Sequence, residues 1–178
     1  MVEFYKSMRL LSYGLFVLCS KKTKDKFNGL IVNTIFQISS DPQMVAVSIS
    51  KENYTHEFLM KSKVFTASIL CKDTPMKFIG RFGFRSGRTY DKFKDPLNYD
   101  FFVTGVPIIM DHSLGFIEAA VKETVDCGTH TLFVAKVVNG EITKEGEPLT
   151  YAHYRTVKKG KVPKNAPSYF LFSDLAKD

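Results

Sequence analysis

The stretch SISKENYTHEF, residues 48–58, crowds Ser48, Ser50, Lys51, Asn53, Tyr54 and Thr55 behind the apolar run Met44, Val45, Ala46 and Val47. A strand end followed by a helix start gathers unpaired backbone N–H groups and the positive end of a helix dipole, which suits an anion. Ser50, Asn53 and Thr55 add side-chain donors and Lys51 a mobile positive charge, so the ligand favoured here is a phosphate. The same residues also read as an ordinary capped helix, with Asn53 or Thr55 satisfying its own backbone and Lys51 in water.

Other candidates are sparser. RFGFRSGRTYDKF holds Arg81, Arg85 and Arg88, and a bidentate guanidinium suits phosphate; the alternative is a solvated loop with Arg85 or Arg88 paired to Asp91. His130, in GTHTLF, is titratable near neutrality, although a histidine at a strand start has many structural uses. His56 and His153 have weaker cases, and His112 beside Asp111 reads as a loop residue. No Ser/His/Asp set, carboxylate dyad or H-E-x-x-H is present. GRFGFRSG is rich in glycine but lacks the G-x-G-x-x-G of a Rossmann turn. Cys19, Cys71 and Cys127 are far apart with no C-x-x-C, so no metal site is expected, and a reduced, cytoplasmic setting fits.

These residues need a scaffold, and 178 residues with 44% hydrophobic content are enough for one domain, 1–178, with a sizeable core. The net charge of +7 is dispersed; its densest groups, KKTKDK and KKGKVPK, read as a turn and a tail. Nucleic acid is therefore not expected as a partner, and the charge suits attraction of small anions. The apolar N-terminal patch is broken by Ser12 and Tyr13 and is well short of the roughly 20 residues of a membrane span.

Residues 15–19 read as a strand, KKTKDKFNG as a connection ending in a turn at Asn28-Gly29, LIVNTIFQIS as one strand, SSDPQ as a turn and MVAVSIS as a third strand. NYTHEFLMKSK changes to helical period, VFTASIL is a fourth strand, and DTPMKFIGRFG is a short helix with Asp73 or Thr74 capping, Pro75 in its first turn, and Gly80 and Gly83 ending it. Residues 84–112 mix loop signals, and two long antiparallel strands then meet near Gly128. From about 147 the chain reads as an irregular tail wrapped over another surface. About six strands with two inserted helices argue for a mainly β, small antiparallel barrel.

NGLIVNTIFQISSDPQMVAVSISKENYTHEF, FGFRSGRTYDKF, GVPII and DCGTHTLFVAKV follow one another in the order and near the spacing of the flavin-reductase-like, FMN-binding split-barrel proteins, which the chain resembles over residues 13–154. The tail KVPKNAPSY resembles the subgroup that includes the flavin domain of high-molecular-weight rubredoxin, flavoredoxin and archaeal ferric reductase. The resemblance implies a Greek-key split β-barrel, a homodimer and FMN bound near the subunit interface. It implies Asn33 and Thr34 beside the isoalloxazine ring, Ser48, Ile49, Ser50 and Lys51 along the ribityl chain and phosphate, and Tyr54 and Thr55 completing the phosphate site. It further implies His130 as the catalytic candidate near the flavin; on the functional reading of RFGFRSGRTYDKF, an arginine such as Arg85 reaches a flavin or NAD(P)H phosphate and Phe82 or Phe84 packs by the groove. Of the tail aromatics Tyr151, Tyr154, Tyr169 and Phe170, most read as core or dimer packing, and one could cover the partner subunit's flavin.

The activity this implies is hydride transfer from NADH or NADPH to bound FMN, then onward to free flavin, ferric complexes or a redox protein, with no obligatory acid or base from the protein. A rubredoxin-type partner would be a separate chain, since its cysteines are missing here. The alternative is a non-enzymatic FMN electron carrier serving protein partners.

Overall fold

The computed structural model describes residues 7–8, 10–94 and 96–169; Phe170 lies outside the described residues. In chain order the elements are β1 (Phe16–Thr23), β2 (Lys26–Val32), β3 (Ile35–Ser40), β4 (Gln43–Ser50), α1 (Tyr54–Ser62), β5 (Val64–Leu70), α2 (Met76–Gly83), β6 (Tyr99–Phe101), β7 (Pro107–Ile109), β8 (Ser113–Cys127), β9 (His130–Ile142) and α3 (Tyr151–Thr156). Seven strands form one antiparallel sheet in the order β2-β1-β5-β8-β9-β4-β3, and β6 and β7 make a separate hairpin.

The edge strands of that order, β2 and β3, are consecutive in sequence and joined by Asn33 and Thr34 alone. Two linking residues span about 10 Å at most, so the sheet must roll until its two edges nearly meet. The result is the split barrel expected from the resemblance, with its seam at Asn33-Thr34. LIVNTIFQIS, expected as a single strand, is broken at this seam. The Asn28-Gly29 turn is also corrected: the turn is Lys24-Asp25, and Asn28 and Gly29 lie inside β2 opposite Ser20 and Cys19.

Alternation along β1 shows how the sheet is filled on both faces. Leu18 joins Leu30, Val47, Phe65 and Phe133 inside the barrel, plugged by Leu59 of α1. Val17 and Cys19 face the other way, under Ile79 and Phe82 of α2, Ile109 of β7 and Tyr154 of α3. The expected caps of α2 do not form: Pro75 is its N-cap, Thr74 donates to Cys71 O, and Gly80 sits within the helix while Gly83 ends it. The tail also departs from expectation, since α3 forms within it with a Thr150 side-chain cap.

One buried carboxylate ties the outer hairpin to the barrel. Glu118 of β8 is fully buried and accepts from the backbone N–H groups of Val103 and Thr104 (3.0 and 2.8 Å), Thr104 Oγ1 (2.6 Å) and Asn139 Nδ2 (2.8 Å). Burial pushes its pKa up, but these donors, Thr104 and Asn139 foremost, outweigh burial and hold it below the usual range. Among the described residues no helix is long and apolar enough to cross a membrane, and Cys19, Cys71 and Cys127 are free thiols.

Candidate functional site

Beside the seam lies a cavity of about 330 Å³, within the range of small-ligand sites. The end of β4 supplies Ser48, Ile49 and Ser50, the seam Asn33 and Thr34, and the start of α1 Tyr54 and Thr55. The end of α2 and the loop after it add Phe82, Phe84 and Arg85. These residues are far apart in sequence and are brought together by the curl of the sheet.

Local bonding fixes the wall and leaves donors over. Ser48 N donates to Thr34 O (3.3 Å) and Thr34 Oγ1 to Ser48 O (3.1 Å), locking the seam to β4. Asn28 Nδ2 donates to Thr55 Oγ1 (2.8 Å), which leaves the Thr55 hydroxyl hydrogen free to be donated elsewhere. Asn53 occupies the N-cap of α1 but makes no side-chain capping bond, so the first turn keeps donors without a side-chain acceptor. Asn53 Oδ1 instead accepts from Asn165 Nδ2, and Asn33 Nδ2 donates to Ser168 Oγ (2.9 Å). The tail is thereby strapped across the cavity, where Pro163, Asn165 and Ala166 form its outer wall.

Two expected residues are not brought to the cavity wall. Lys51 Nζ donates to both Asp126 oxygens (2.8 Å each), and this half-exposed pair holds the β8–β9 tip against the end of β4. His130, expected near the flavin, is opposite Ser50 in the β4–β9 register. Its Nδ1 is bonded to Thr129 Oγ1 (2.8 Å) and its Nε2 is buried without a partner. Burial lowers its pKa, partly offset by the nearby Asn165 backbone.

The arginines divide. Arg85 lines the cavity with its guanidinium 4.3 Å from the Tyr90 ring centroid. Arg88 pairs with Glu57 and covers Tyr54, while Arg81 Nε donates to Lys92 O (2.7 Å). Asp91, considered as their partner, instead accepts from Phe93 N (2.9 Å).

The strongest feature of the cavity was not singled out from sequence. Lys92 is 3% exposed and lines the wall, with Nζ donating to the carbonyls of Gly29 (2.7 Å) and Phe82 (3.1 Å). Among the described residues no carboxylate pairs with it. Burial lowers its pKa to about 8, with the nearby Cys19 thiol raising it slightly; Cys19 itself is pushed up to about 12 by burial. A buried ammonium with two carbonyls and no counter-charge is costly unless an anion completes it. Its position in YDKFK gave no sign of this, because lysine is usually exposed and only the tertiary fold buries it. Asn28, which reads as a turn residue beside Gly29 in sequence, is likewise hidden until β2 forms.

The donor set fits a phosphorylated, planar ligand. Lys92, the free Thr55 hydroxyl and the uncapped turn of α1 suit a phosphate at one end; Asn33, Thr34 and Ser48, with the apolar walls Ile31 and Val32, suit a polar-edged ring at the other.

Residues 8–159 match the family model described as flavin reductase like domain. The chain is 46% identical to the high molecular weight rubredoxin of Moorella thermoacetica over 92% of its own length and 71% of that protein. It is also 46% identical to the ferric-chelate reductase (NAD(P)H) of Archaeoglobus fulgidus, over 94% of its own length and 95% of the other. Among solved structures, an FMN-binding protein from Thermus thermophilus with bound p-hydroxybenzaldehyde superposes with a TM-score of 0.67 at 28% identity, covering 75% of this chain and 74% of that one. Fold, seam and sequence agree, and the chain belongs to the flavin reductase like domain family.

Proposed function

We propose that the protein is an NAD(P)H-dependent flavin reductase that binds FMN in the seam cavity, with the chain 1–178 acting as one flavin-binding domain. The observation that carries this is the buried Lys92 ammonium, uncompensated by any carboxylate among the described residues, at one end of a cavity whose other end is the Asn33-Thr34 seam. The ferric-chelate reductase and the FMN-binding structure among the relatives support the nicotinamide donor and the flavin.

Lys92, Thr55 and the first turn of α1 would hold the phosphate, with Arg85 at the rim; Ser50 and Ile49 would flank the ribityl chain; Asn33, Thr34 and Ser48 would meet the ring edge. Bound FMN supplies the hydride- and electron-accepting chemistry. The chain's own work is to bind and orient. Phe82 packs the inner wall, and the strap residues Pro163 and Ala166 limit water access from outside. No protein acid or base is required in this scheme.

The onward acceptor is free flavin, a ferric complex or a redox protein. A rubredoxin-type partner is supported by the Moorella relative, of which the chain spans 71%. Exposed Phe36 and Ile38 on edge strand β3 would suit the expected homodimer. The test is to titrate purified, flavin-free protein with FMN and then add NADH or NADPH without oxygen. Saturable FMN binding followed by loss of the visible flavin absorbance supports the reductase. Binding with no bleaching by either nucleotide would leave the electron-carrier alternative, and no binding would reject both.

A further inference from the structure

Beyond the phosphate end of the seam cavity is a second cavity of about 560 Å³, and the two share Asn28, Tyr54, Gly87 and Lys92. These four residues are a wall between them, and each is held in place by the protein itself. Asn28 is buried, with its amide donated to Thr55 Oγ1 at 2.8 Å. Gly87 seats against the other side of that amide so closely that a Cβ would stand 2.2 Å from Asn28 Oδ1. Tyr54 is fixed by the Arg88 guanidinium, 4.6 Å from its ring centroid, and by the edge of Phe58, 4.8 Å between centroids. Lys92 is bonded to its two carbonyls.

We propose that this wall, centred on the Asn28–Gly87 contact, makes the site selective for flavin mononucleotide over flavin adenine dinucleotide. The inference rests on the reading of the seam cavity as a flavin site. FMN ends in a phosphate monoester, whose outer oxygens can all face the donors at the wall. In FAD the same phosphorus is joined through an anhydride oxygen to a second phosphate and adenosine, and that link must continue where Asn28 and Gly87 touch. The second cavity is lined by Lys26, Tyr90 and Tyr99 together with the carboxylates of Asp25 and Asp91, and its Arg88 is paired with Glu57, so beyond the wall it offers a second phosphate no net positive charge. The Asn28–Gly87 contact stands between that space and the first cavity, so FAD must carry its adenylate around it and lose the fit of its phosphate.

Equilibrium binding of FMN and of FAD to flavin-free protein tests this, with wild type beside Asn28→Ser and Asn28→Ala. Serine keeps a hydroxyl for Thr55 while shortening the wall. Wild type is expected to bind FMN at least about tenfold more tightly than FAD. Asn28→Ser is expected to narrow that ratio to about threefold or less, chiefly by gaining FAD affinity. FMN binding with an FMN-to-FAD ratio near one in wild type would overturn the inference while leaving the flavin site intact. An unchanged ratio in a folded Asn28 variant would do the same. If circular dichroism shows neither variant folded, the wild-type ratio decides alone. A protein that binds neither flavin would overturn the flavin reading, and this inference with it.

Discussion

Lys92 should set how FMN affinity depends on pH. In the unliganded protein burial holds its pKa at about 8, against 10.5 in an exposed chain. Between those values the unfolded chain carries a proton that the folded chain has released, so stability rises with pH through that window. Below about pH 8 the full cost is present, on the order of 3 kcal/mol of stability withheld at neutral pH. A phosphate against the ammonium favours the charged form, so binding above about pH 8 must take up a proton, and FMN affinity should fall by up to about tenfold per pH unit there. Lys92→Met removes the charge and should abolish that fall. It should also weaken FMN binding at pH 7 by about 1.5–3 kcal/mol, roughly 10- to 100-fold, the usual worth of a charged hydrogen bond. Its stability should change less, because relief from burying a charge is offset by stranding the carbonyls of Gly29 and Phe82. Quenching of flavin fluorescence, followed for both proteins from about pH 6 to 10, reads both effects. Identical pH profiles, or full affinity in the variant at pH 7, would refute the assignment of Lys92 to the phosphate.

Three further outcomes follow from the same geometry. Glu118→Gln should destabilise the fold by about 1–3 kcal/mol in denaturant melts, since an amide cannot accept from all of the donors at Val103, Thr104 and Asn139. Because the Glu118 pKa is held low, its contribution is complete above the ordinary carboxylate range and is lost as pH falls through the folded value; the wild-type advantage over the variant should shrink in acid. Lys51→Ala should change stability by no more than about 1 kcal/mol and FMN affinity by about twofold at most, because its partner is Asp126; a large loss of affinity would restore it to the phosphate site. His130→Ala should leave FMN affinity unchanged and slow anaerobic flavin reduction by less than about threefold, and a slowing of tenfold or more would reinstate it as the catalytic histidine.

How much of this was readable in sequence follows from what each signal depends on. The Asn33-Thr34, Ser48–Ser50 and Tyr54-Thr55 groups were legible because strand and helix periods mark β4 and α1 sharply, and family motifs aligned the rest. The seam was not, because LIVNTIFQIS is continuously apolar and β-favouring; it breaks only because the rolled sheet must carry the chain from one edge to the other. The pairing of Lys51 is hidden for a related reason: strand register brings Asp126, 75 residues away in sequence, to its ammonium. Lys92 is the inverse case, a residue that looks solvated in sequence and is buried by loop packing. The helix α3 was hidden among Pro, Gly and aromatic residues, although Thr150 is an ordinary cap.

The most direct test of the central claim is rapid anaerobic mixing of the FMN-loaded protein with NADH and, separately, with NADPH. Flavin absorbance should be lost with at least one of the two, to the extent of one flavin per chain, and Lys92→Met should load less FMN under the same conditions. Protein that takes up no FMN, or that holds FMN in full in the Lys92→Met variant and is bleached by neither nucleotide, would contradict that claim.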